Sequence, residues 1–168
     1  MSATPSWPDL AGRLIADERG RRHVLPVRVY FEDTDFTGVV YHASYVRWCE
    51  RGRSDMLRLL GANHRDLLDP GDGHEPAVFV VRRMSLEFLR PAGIDEVLEV
   101  ETRVQELGAA SVVLAQTISR AGRPLFTAEV LVVLVSRSGK PVRLTQAVRV
   151  AFGAAAAGAD EGEGRQQR

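Results

Sequence analysis

Cysteine and lysine are almost absent from this chain of 168 residues. Cys49 is the only cysteine, so no intrachain disulfide can form, and the sequence is compatible with a reducing interior. We expect Cys49 to be a small buried side chain. Lys140 is the only lysine, every other basic side chain being arginine, and we attach no catalytic meaning to that bias.

The sequence also lacks an excess of charge and a long apolar run. Acidic and basic residues number 22 each, so no overall field would attract nucleic acid. Residues 1–23 carry charges throughout and contain no uninterrupted apolar stretch, which predicts neither a secretory signal nor a membrane span. With 45% hydrophobic and 26% charged residues, the composition is typical of one globular domain, which we expect to be cytoplasmic.

The two ends of the chain differ in composition from its centre. Proline and apolar residues at helical spacing could form a short helix over residues 6–19, or the segment could be a loose arm, so residues 1–24 are assigned to an N-terminal arm. Residues 153–168 are small or polar, which predicts a disordered tail. Residues 25–152 remain as the folded domain.

Apolar periodicity predicts one long helix among several strands. Cys49 and Met56 fall on the apolar stripe of a helix over residues 42–60, and Gly61 follows it as a C-terminal cap. Gly52 lies in mid-helix, which indicates a close approach to another backbone. The segments predicted as strands are residues 26–32, 78–89, 97–104, 111–119, 125–135 and 142–152.

These elements predict an α+β fold in which one long helix packs on a single antiparallel sheet of about five strands. Residues 130–135 are apolar on both faces of their strand, and one helix cannot cover so much sheet. We therefore expect a second copy of the chain to cover the rest, as a homodimer at least. In the strand over residues 78–89 the even positions are apolar except Arg82, whose charge would need a partner if buried.

The segment EDTDFTGVVYHASY, residues 32–45, allows two interpretations that need no catalysis. Asp33 and Asp35 could bind nearby backbone amides in turns and caps, with Gly38 in a left-handed conformation. Alternatively, the two carboxylates and His42 could bind a divalent cation. No further histidine or acidic residue follows at ligand spacing, so a metal site is the weaker of the two.

A catalytic site is the third interpretation of this segment. If the helix begins near His42, its first amides lack intrahelical acceptors and its dipole makes that end electropositive, which suits a developing oxyanion. Asp35 would lie across a short loop, ionised at neutral pH because a carboxyl of this kind has a pKa of about 3.9. A thioester is a suitable substrate, since its leaving thiol has a pKa of only about 8.5.

The same residues carry a resemblance to a known family. PVRVYFEDTDFTGVVYHASYVRWCERGRSDML, followed by VVRRMSLEFLRPAGIDEVLEVET and AEVLVVLV, resembles the hot-dog acyl-CoA thioesterases of the 4-hydroxybenzoyl-CoA thioesterase type, most closely the bacterial Tol-Pal-associated acyl-CoA thioesterases. The resemblance covers residues 25–152. It implies a hot-dog fold, an acyl-CoA substrate, no metal or organic cofactor, and homodimers or homotetramers with the active site between subunits. It also implies, by genomic association, a cell-envelope complex as a partner.

The resemblance assigns roles to particular residues. Asp35 matches the family's catalytic carboxylate, which is a nucleophile or a general base. His42 matches the residue that opens the helix, whose backbone amide polarises the thioester carbonyl and whose ring is also implicated. Phe31 stands where relatives carry a tyrosine with a supporting role, and Tyr30, expected on the opposite face of the strand, does not replace it.

Six further residues are assigned to substrate binding rather than to catalysis. The candidates for the acyl pocket and the turn beside it are Gly38, Tyr41 and Tyr45. Aromatic residues at this spacing are also common in ordinary cores. The candidates for the phosphates of coenzyme A, which guanidinium groups suit, are Arg82, Arg83 and Arg90.

Two other functions compete with thioester hydrolysis. A hot-dog scaffold at the cell envelope would keep the dimer, and any catalysis would be incidental. A dehydratase acting on 3-hydroxyacyl thioesters would need an acid and a base on the helix, where Glu50 and Asp55 lie on the polar stripe away from the expected groove. The function that we predict is hydrolysis of an acyl-CoA to a carboxylic acid and free coenzyme A.

Overall fold

The computed structural model of the chain describes residues 12–62, 64–71, 73 and 75–156. They form six strands, three helices and one 3-10 turn. In chain order these elements are β1 (Arg13–Asp17), β2 (Gly20–Arg28), the 3-10 turn (Phe31–Asp33), α1 (His42–Leu59), α2 (His64–Leu68), β3 (Ala77–Phe88), β4 (Val97–Leu107), β5 (Ser111–Arg120), β6 (Arg123–Ser136) and α3 (Gln146–Ala156).

The six strands form one antiparallel sheet in the order β1-β2-β4-β5-β6-β3. The helix α1 packs on one face of this sheet, where its buried residues join inward-facing residues of the strands in a single core. β3 follows α1 in the chain but pairs only with β6, so it is a terminal strand of the sheet in the described part of the chain. The α+β prediction is confirmed, with six strands in place of about five.

Gly52 allows α1 to approach the sheet closely. A Cβ atom at this position would lie 3.1 Å from Cγ1 of Val100 and 3.2 Å from Oγ1 of Thr102, both on β4. The neighbour is thus a pair of side chains rather than the backbone that the sequence led us to expect. Cys49, one turn earlier, is fully buried, and burial raises the pKa of its thiol to about 12.

The helix α1 ends at the predicted cap. Gly61 adopts a φ of +81°, a left-handed conformation that favours glycine, and the amide of Ala62 donates to the carbonyl of Leu57 over 3.1 Å. This bond pairs a carbonyl that would otherwise be left free at the helix end. The chain continues from this cap into α2.

Residues 13–28 form a β-hairpin that the sequence did not predict. Neither a short helix nor a loose arm describes residues 13–17, because β1 pairs with β2 in antiparallel register, and β2 pairs on its other side with β4. The mutual pairing of backbone groups makes the extended conformation favourable here. The domain boundary placed at residue 25 therefore falls inside β2, and residues 1–11 lie outside the described part of the chain.

The helix α3 stands where a strand was predicted over residues 142–152. Leu144, Val148 and Phe152 are buried at a spacing of four residues, which places them on one face of a helical path. The β-branched residues of this segment favoured a strand, but burial of the four-residue stripe against the core determines the outcome. The prediction of a strand is therefore wrong for residues 146–152.

Two other boundaries differ from the prediction. The strand predicted over residues 26–32 ends at Arg28, and the 3-10 turn follows, so Tyr30 does not lie on a strand at all. The tail predicted from residue 153 onward begins inside α3. Residues 157–168 lie outside the described part of the chain.

At Arg82 the side chains of β3 shift their alternation between the two faces of the sheet. Val81 and Arg83 pair with consecutive residues of β6, so Arg82 is the extra residue of a β-bulge. Phe79 before the bulge and Met84 after it both pack against the core, although one is an odd position and the other even. The expected apolar row of even positions is therefore wrong for the first half of the strand. Arg82 is exposed and is not a buried charge.

Candidate active site

Asp33 organises the loop that enters α1. Its Oδ2 accepts a hydrogen bond from the amide of Tyr30 over 2.9 Å, and its backbone carbonyl accepts from the amide of Tyr41 (2.8 Å) and the hydroxyl of Ser44 (3.2 Å). The residue is only 7% exposed. Asp33 thus has the turn-forming role considered for both carboxylates, and it links the 3-10 turn to the first turn of the helix.

Asp35 lies on a separate turn. The amide of Gly38 donates to the carbonyl of Asp35, and the amide of Asp35 donates to the carbonyl of Val39, each over 3.0 Å. Gly38 adopts a φ of +83°, so a residue with a side chain would be strained at this position. Val40 then pairs with the segment around Ala92 by a bond of 2.9 Å. The turn is therefore closed on itself and attached to the rest of the domain.

The carboxylate of Asp35 is held by Thr37. Its Oδ1 accepts the hydroxyl of Thr37 at 2.5 Å and the backbone amide of the same residue at 2.8 Å. These two bonds, and to a smaller extent the positive potential of His42, lower the pKa of Asp35 below its usual value. Within the described residues no hydrogen bond reaches Oδ2. The carboxylate is therefore ionised at neutral pH, with one oxygen available to a ligand.

The helix α1 begins at His42. Tyr41 is the N-cap, in an extended conformation, and its side chain makes no capping hydrogen bond. Within the described part of the chain the amides of His42 and Ala43 have no hydrogen-bond acceptor. Because the helix dipole adds positive potential at this end, these amides can bind an oxyanion. The His42 ring is exposed and lies 4.3 Å from the Tyr41 ring between centroids.

A groove of about 370 Å³ lies beside the start of the helix. Its lining consists of Val40, His42, Tyr45, Phe88, Leu89, Arg90 and Pro91. The guanidinium of Arg90 donates to the carbonyl of Pro124 over 2.8 Å and remains exposed. The groove therefore combines apolar walls, an electropositive helix end and one arginine.

The other predicted binding residues are dispersed. Tyr45 is 4% exposed and stacks on Phe126 at 5.3 Å between ring centroids, and its hydroxyl accepts the amide of Ala92 at 3.2 Å. Burial raises the pKa of its phenol. It is mainly a core residue, with only part of its ring at the groove. Arg82 and Arg83 lie on β3 away from the groove lining, and Arg83 approaches Glu129 at 3.8 Å.

Three residues near the site were missed or misplaced by the sequence analysis. Thr37, which holds Asp35, was not identified, although a hydroxyl two residues after an aspartate is a recognisable turn pattern. Phe36, next to Asp35, is completely exposed. Phe31 is 83% exposed and belongs to the 3-10 turn, so the comparison of strand faces for Tyr30 and Phe31 does not apply.

Among the residues that the structure describes, no group of three or more histidine, cysteine, aspartate or glutamate side chains could hold a metal ion. Within the same ranges, no helix has the length and apolar character needed to cross a membrane. The turn that carries the low-pKa carboxylate of Asp35 leads into the start of α1.

The single antiparallel sheet with one long helix packed on it places the chain in the hot-dog class of folds. Residues 37–127 match the family model of the thioesterase superfamily. The chain is 46% identical over 111 residues to the acyl-CoA thioester hydrolase YbgC of Escherichia coli, covering 66% of this chain and 79% of that protein. It is 38% identical over 128 residues to the acyl-CoA thioesterase YbgC of Haemophilus influenzae, covering 76% and 91%.

A solved structure agrees with these relatives. The probable thioesterase from Bartonella henselae superposes with a TM-score of 0.70 and 45% sequence identity, covering 74% of this chain and 99% of that one. The chain therefore belongs to the thioesterase superfamily. It has the hot-dog fold and is a thioester hydrolase, as the sequence predicted.

Proposed function

We propose that the protein is an acyl-CoA thioesterase in which Asp35 is the catalytic carboxylate and the backbone amide at His42 binds the carbonyl oxygen. The observation that carries the proposal is the turn that ends at α1. It holds a carboxylate whose pKa is lowered by two hydrogen bonds from Thr37 to one oxygen, and within the described residues the other oxygen accepts no hydrogen bond. The E. coli and H. influenzae relatives act on acyl-CoA by name, which supports the same substrate class here.

The reaction follows from this arrangement. The thioester carbonyl lies over the start of α1, where the amides stabilise the negative charge that develops on its oxygen. Either Asp35 attacks the carbonyl carbon directly and water later cleaves the anhydride, or Asp35 removes a proton from a water that attacks. In both routes the carbon–sulfur bond breaks and the thiolate of coenzyme A takes up a proton. The products are a carboxylic acid and free coenzyme A, and the chemistry requires no metal or organic cofactor.

A homodimer supplies the second wall of the proposed site. β3 has one edge without a neighbouring strand in the described part of the chain, and its apolar side chains Val80, Val81 and Phe88 are exposed. An unpaired apolar strand of this length is a site for pairing with another chain. We propose that β3 pairs with β3 of a second copy, and that such dimers assemble further into tetramers.

Binding of the coenzyme A phosphates is proposed for arginine side chains near the groove. Arg90 lines the groove and has an exposed guanidinium, so it is the best supported of the three arginines. Arg82 and Arg83 lie on the proposed dimer strand, where they would contribute from the partner. Gly38 and Tyr41 would contact the substrate at the turn and the helix cap.

The competing functions receive less support. Asp55 is engaged by His23, Arg58 and the amide of Gly12, and Glu50 accepts the hydroxyl of Ser54. Neither lines the groove beside His42, so the acid and base of a dehydratase are not supported there. Association with a cell-envelope complex and a cytoplasmic location stay predictions from the sequence.

Replacement of Asp35 by asparagine tests the proposal. The variant removes the charge and keeps the size of the side chain, so we expect an unchanged fold by circular dichroism and a loss of turnover by orders of magnitude on acyl-CoA. Asp69→Asn, an exposed aspartate that follows α2, is the matched control and should keep wild-type rates. Wild-type turnover in Asp35→Asn would contradict the assignment.

A further inference from the structure

The loop between β2 and α1 is tied at both of its ends to one short segment. This segment, residues 92–96, lies just before β4, and we call it the clamp segment. At the first end of the loop, the amide of Val29 donates to the carbonyl of Glu96 over 2.9 Å. At the second end, the amide of Val40 donates to the carbonyl of Ala92, also over 2.9 Å.

The turn that carries Asp35 lies between these two ties. Val39 forms an antiparallel bridge with Gly93 of the clamp segment, and its carbonyl accepts the amide of Asp35 over 3.0 Å. The tie from Val40 to Ala92 joins two buried residues, which shields its hydrogen bond from water. The position of Asp35 relative to the start of α1 therefore depends on the position of the clamp segment.

One side chain fixes the shape of the clamp segment. The amide of Gly93 donates to Oε2 of Glu96 over 3.0 Å, so the carboxylate closes a turn across the two residues between them. One of these, Asp95, has a φ of +65°, a left-handed conformation that costs energy in a residue with a side chain. The Glu96 carboxylate thus closes a strained turn.

Arg120 holds the carboxylate of Glu96 in turn. Its Nη1 donates to Oε1 over 2.6 Å and to Oε2 over 2.7 Å. These bonds lower the pKa of Glu96, so the carboxylate is ionised at neutral pH. Because Arg120 is the last residue of β5, the ion pair connects the clamp segment to the sheet.

The ion pair is suited to orientation more than to stabilising the fold. The side chains of Arg120 and Glu96 are 38% and 31% exposed, and ion pairs in contact with water contribute little to stability. The lining of the groove beside His42, as far as the described residues form it, includes neither of them. What the pair fixes is the carboxylate that accepts the Gly93 amide.

We propose that Glu96, oriented by Arg120, is a positioning residue for thioester hydrolysis. It fixes the clamp segment and thereby keeps the carboxylate of Asp35 at a fixed position relative to the first amides of α1. The inference rests on the proposed function, since it concerns where Asp35 is held. A displaced Asp35 would act poorly in the transition state while the groove still binds the substrate, so kcat should fall more than KM rises.

Three variants separate positioning from general stability. Glu96→Ala removes both the acceptor of the Gly93 amide and the partner of Arg120. Glu96→Gln is the conservative variant, because its amide oxygen can still accept the Gly93 amide. Arg103→Met is the matched control, since Arg103 donates to Glu101 over 2.7 Å in an ion pair on the same sheet that does not involve the clamp segment.

The experiment measures kcat and KM by thiol release, on the acyl-CoA that the wild type hydrolyses fastest, and hydrogen exchange by mass spectrometry. We expect Glu96→Ala to lower kcat by about 10- to 100-fold with KM within about threefold of the wild type. Amides of residues 35–40 should exchange faster in this variant. Glu96→Gln should recover most of kcat, and Arg103→Met should keep wild-type kcat, KM and exchange. Circular dichroism verifies the fold of each variant.

Different results would overturn different statements. Wild-type kcat in Glu96→Ala would contradict the positioning role and leave the thioesterase standing. An equal loss of kcat in Arg103→Met would also contradict it, since the loss would then follow from weaker folding. Lower kcat with unchanged exchange over residues 35–40 would show that Glu96 does not act through the clamp segment. Absence of wild-type turnover on every acyl-CoA would contradict the proposed function, and the role of Glu96 with it.

Discussion

The imidazole of His23 on β2 lies 2.7 Å from the carboxylate of Asp55 on α1, with the histidine completely buried. The same carboxylate accepts the amide of Gly12 at 2.7 Å and the guanidinium of Arg58 at 2.7 Å. One side chain of the central helix therefore holds the N-terminal hairpin in place. The hairpin belongs to the sheet for this reason as well as through its backbone pairing.

Asp55→Asn should destabilise the fold by about 1–3 kcal/mol, since a buried imidazole and a backbone amide lose a charged acceptor. Burial alone would raise the pKa of Asp55, but hydrogen bonds from Arg58, Gly12 and His23 outweigh it and lower the pKa. A lowered pKa adds stability that is fully present above the usual value of about 3.9 and is lost as the pH falls from there through the lowered pKa of the folded state. Urea unfolding at pH 7 and below pH 4 measures both effects.

The matched control is Asp69→Asn, which changes an exposed carboxylate and should leave the unfolding free energy and its pH dependence unchanged. The interpretation of Asp55 as the hairpin's anchor is wrong if Asp55→Asn unfolds at the same urea concentration as the wild type at pH 7.

Gly52→Ala should destabilise the protein by about 1–3 kcal/mol although alanine is the better helix former. The added methyl group would lie 3.1 Å from Cγ1 of Val100, tighter than normal contact. Gly153→Ala in α3 is the control, since a Cβ there meets no atom within 4 Å, and it should be neutral or stabilising. Thermal unfolding of both variants measures the difference in stability. Equal stabilities of the two variants would contradict the close approach of α1 to β4 at Gly52.

Thr37→Val should raise the pKa of Asp35, because the hydroxyl that stabilises the ionised form is removed while the backbone amide remains. The acidic limb of the pH profile of kcat/KM should then move to higher pH. Thr37→Ser restores a hydroxyl and should restore the profile. An unchanged acidic limb in Thr37→Val would show that Asp35 is not the group titrating in the reaction.

His42→Pro tests the backbone amide separately from the ring. Proline is tolerated at the first position of a helix, and Tyr41 already has the extended conformation that a following proline requires. Loss of this N–H should lower kcat by about 10²- to 10³-fold, as loss of one oxyanion donor does in other hydrolases. His42→Ala keeps the N–H and should lose less. If the alanine variant is the poorer enzyme, the ring rather than the amide carries the function.

Local sequence patterns were sufficient to predict the long helix α1 and the turn before it. The stripe around Cys49 and the cap at Gly61 predicted α1 to within one residue at its end. Asp35, Gly38 and His42 became candidates because a carboxylate, a turn glycine and a helix start lie within one short loop, and the family resemblance assigned them their roles. These features depend on residues close in sequence, which is why they could be predicted without coordinates.

Contacts between residues far apart in the sequence determined α3 and the bulge in β3, which local patterns did not predict. The four-residue stripe of Leu144, Val148 and Phe152 competes with a β-branched pattern in the same segment, and only the core that the helix covers favours α3. The bulge at Arg82 leaves no clear mark in the sequence, because an extra residue is recognised only against the register of its partner strand. The bulge determines that odd positions face the core before Arg82 and even positions face it after Arg82.

The sequence by itself determined the α+β class, the long helix and the position of the turn before it, since periodicity and turn residues act over a few positions. Only the tertiary structure decided that Asp33 binds the loop while Asp35 keeps an oxygen available, because the two carboxylates differ in their surroundings and not in type. It also decided where the cavity of about 110 Å³ beside α1 and β3 lies, since residues far apart in the chain line it.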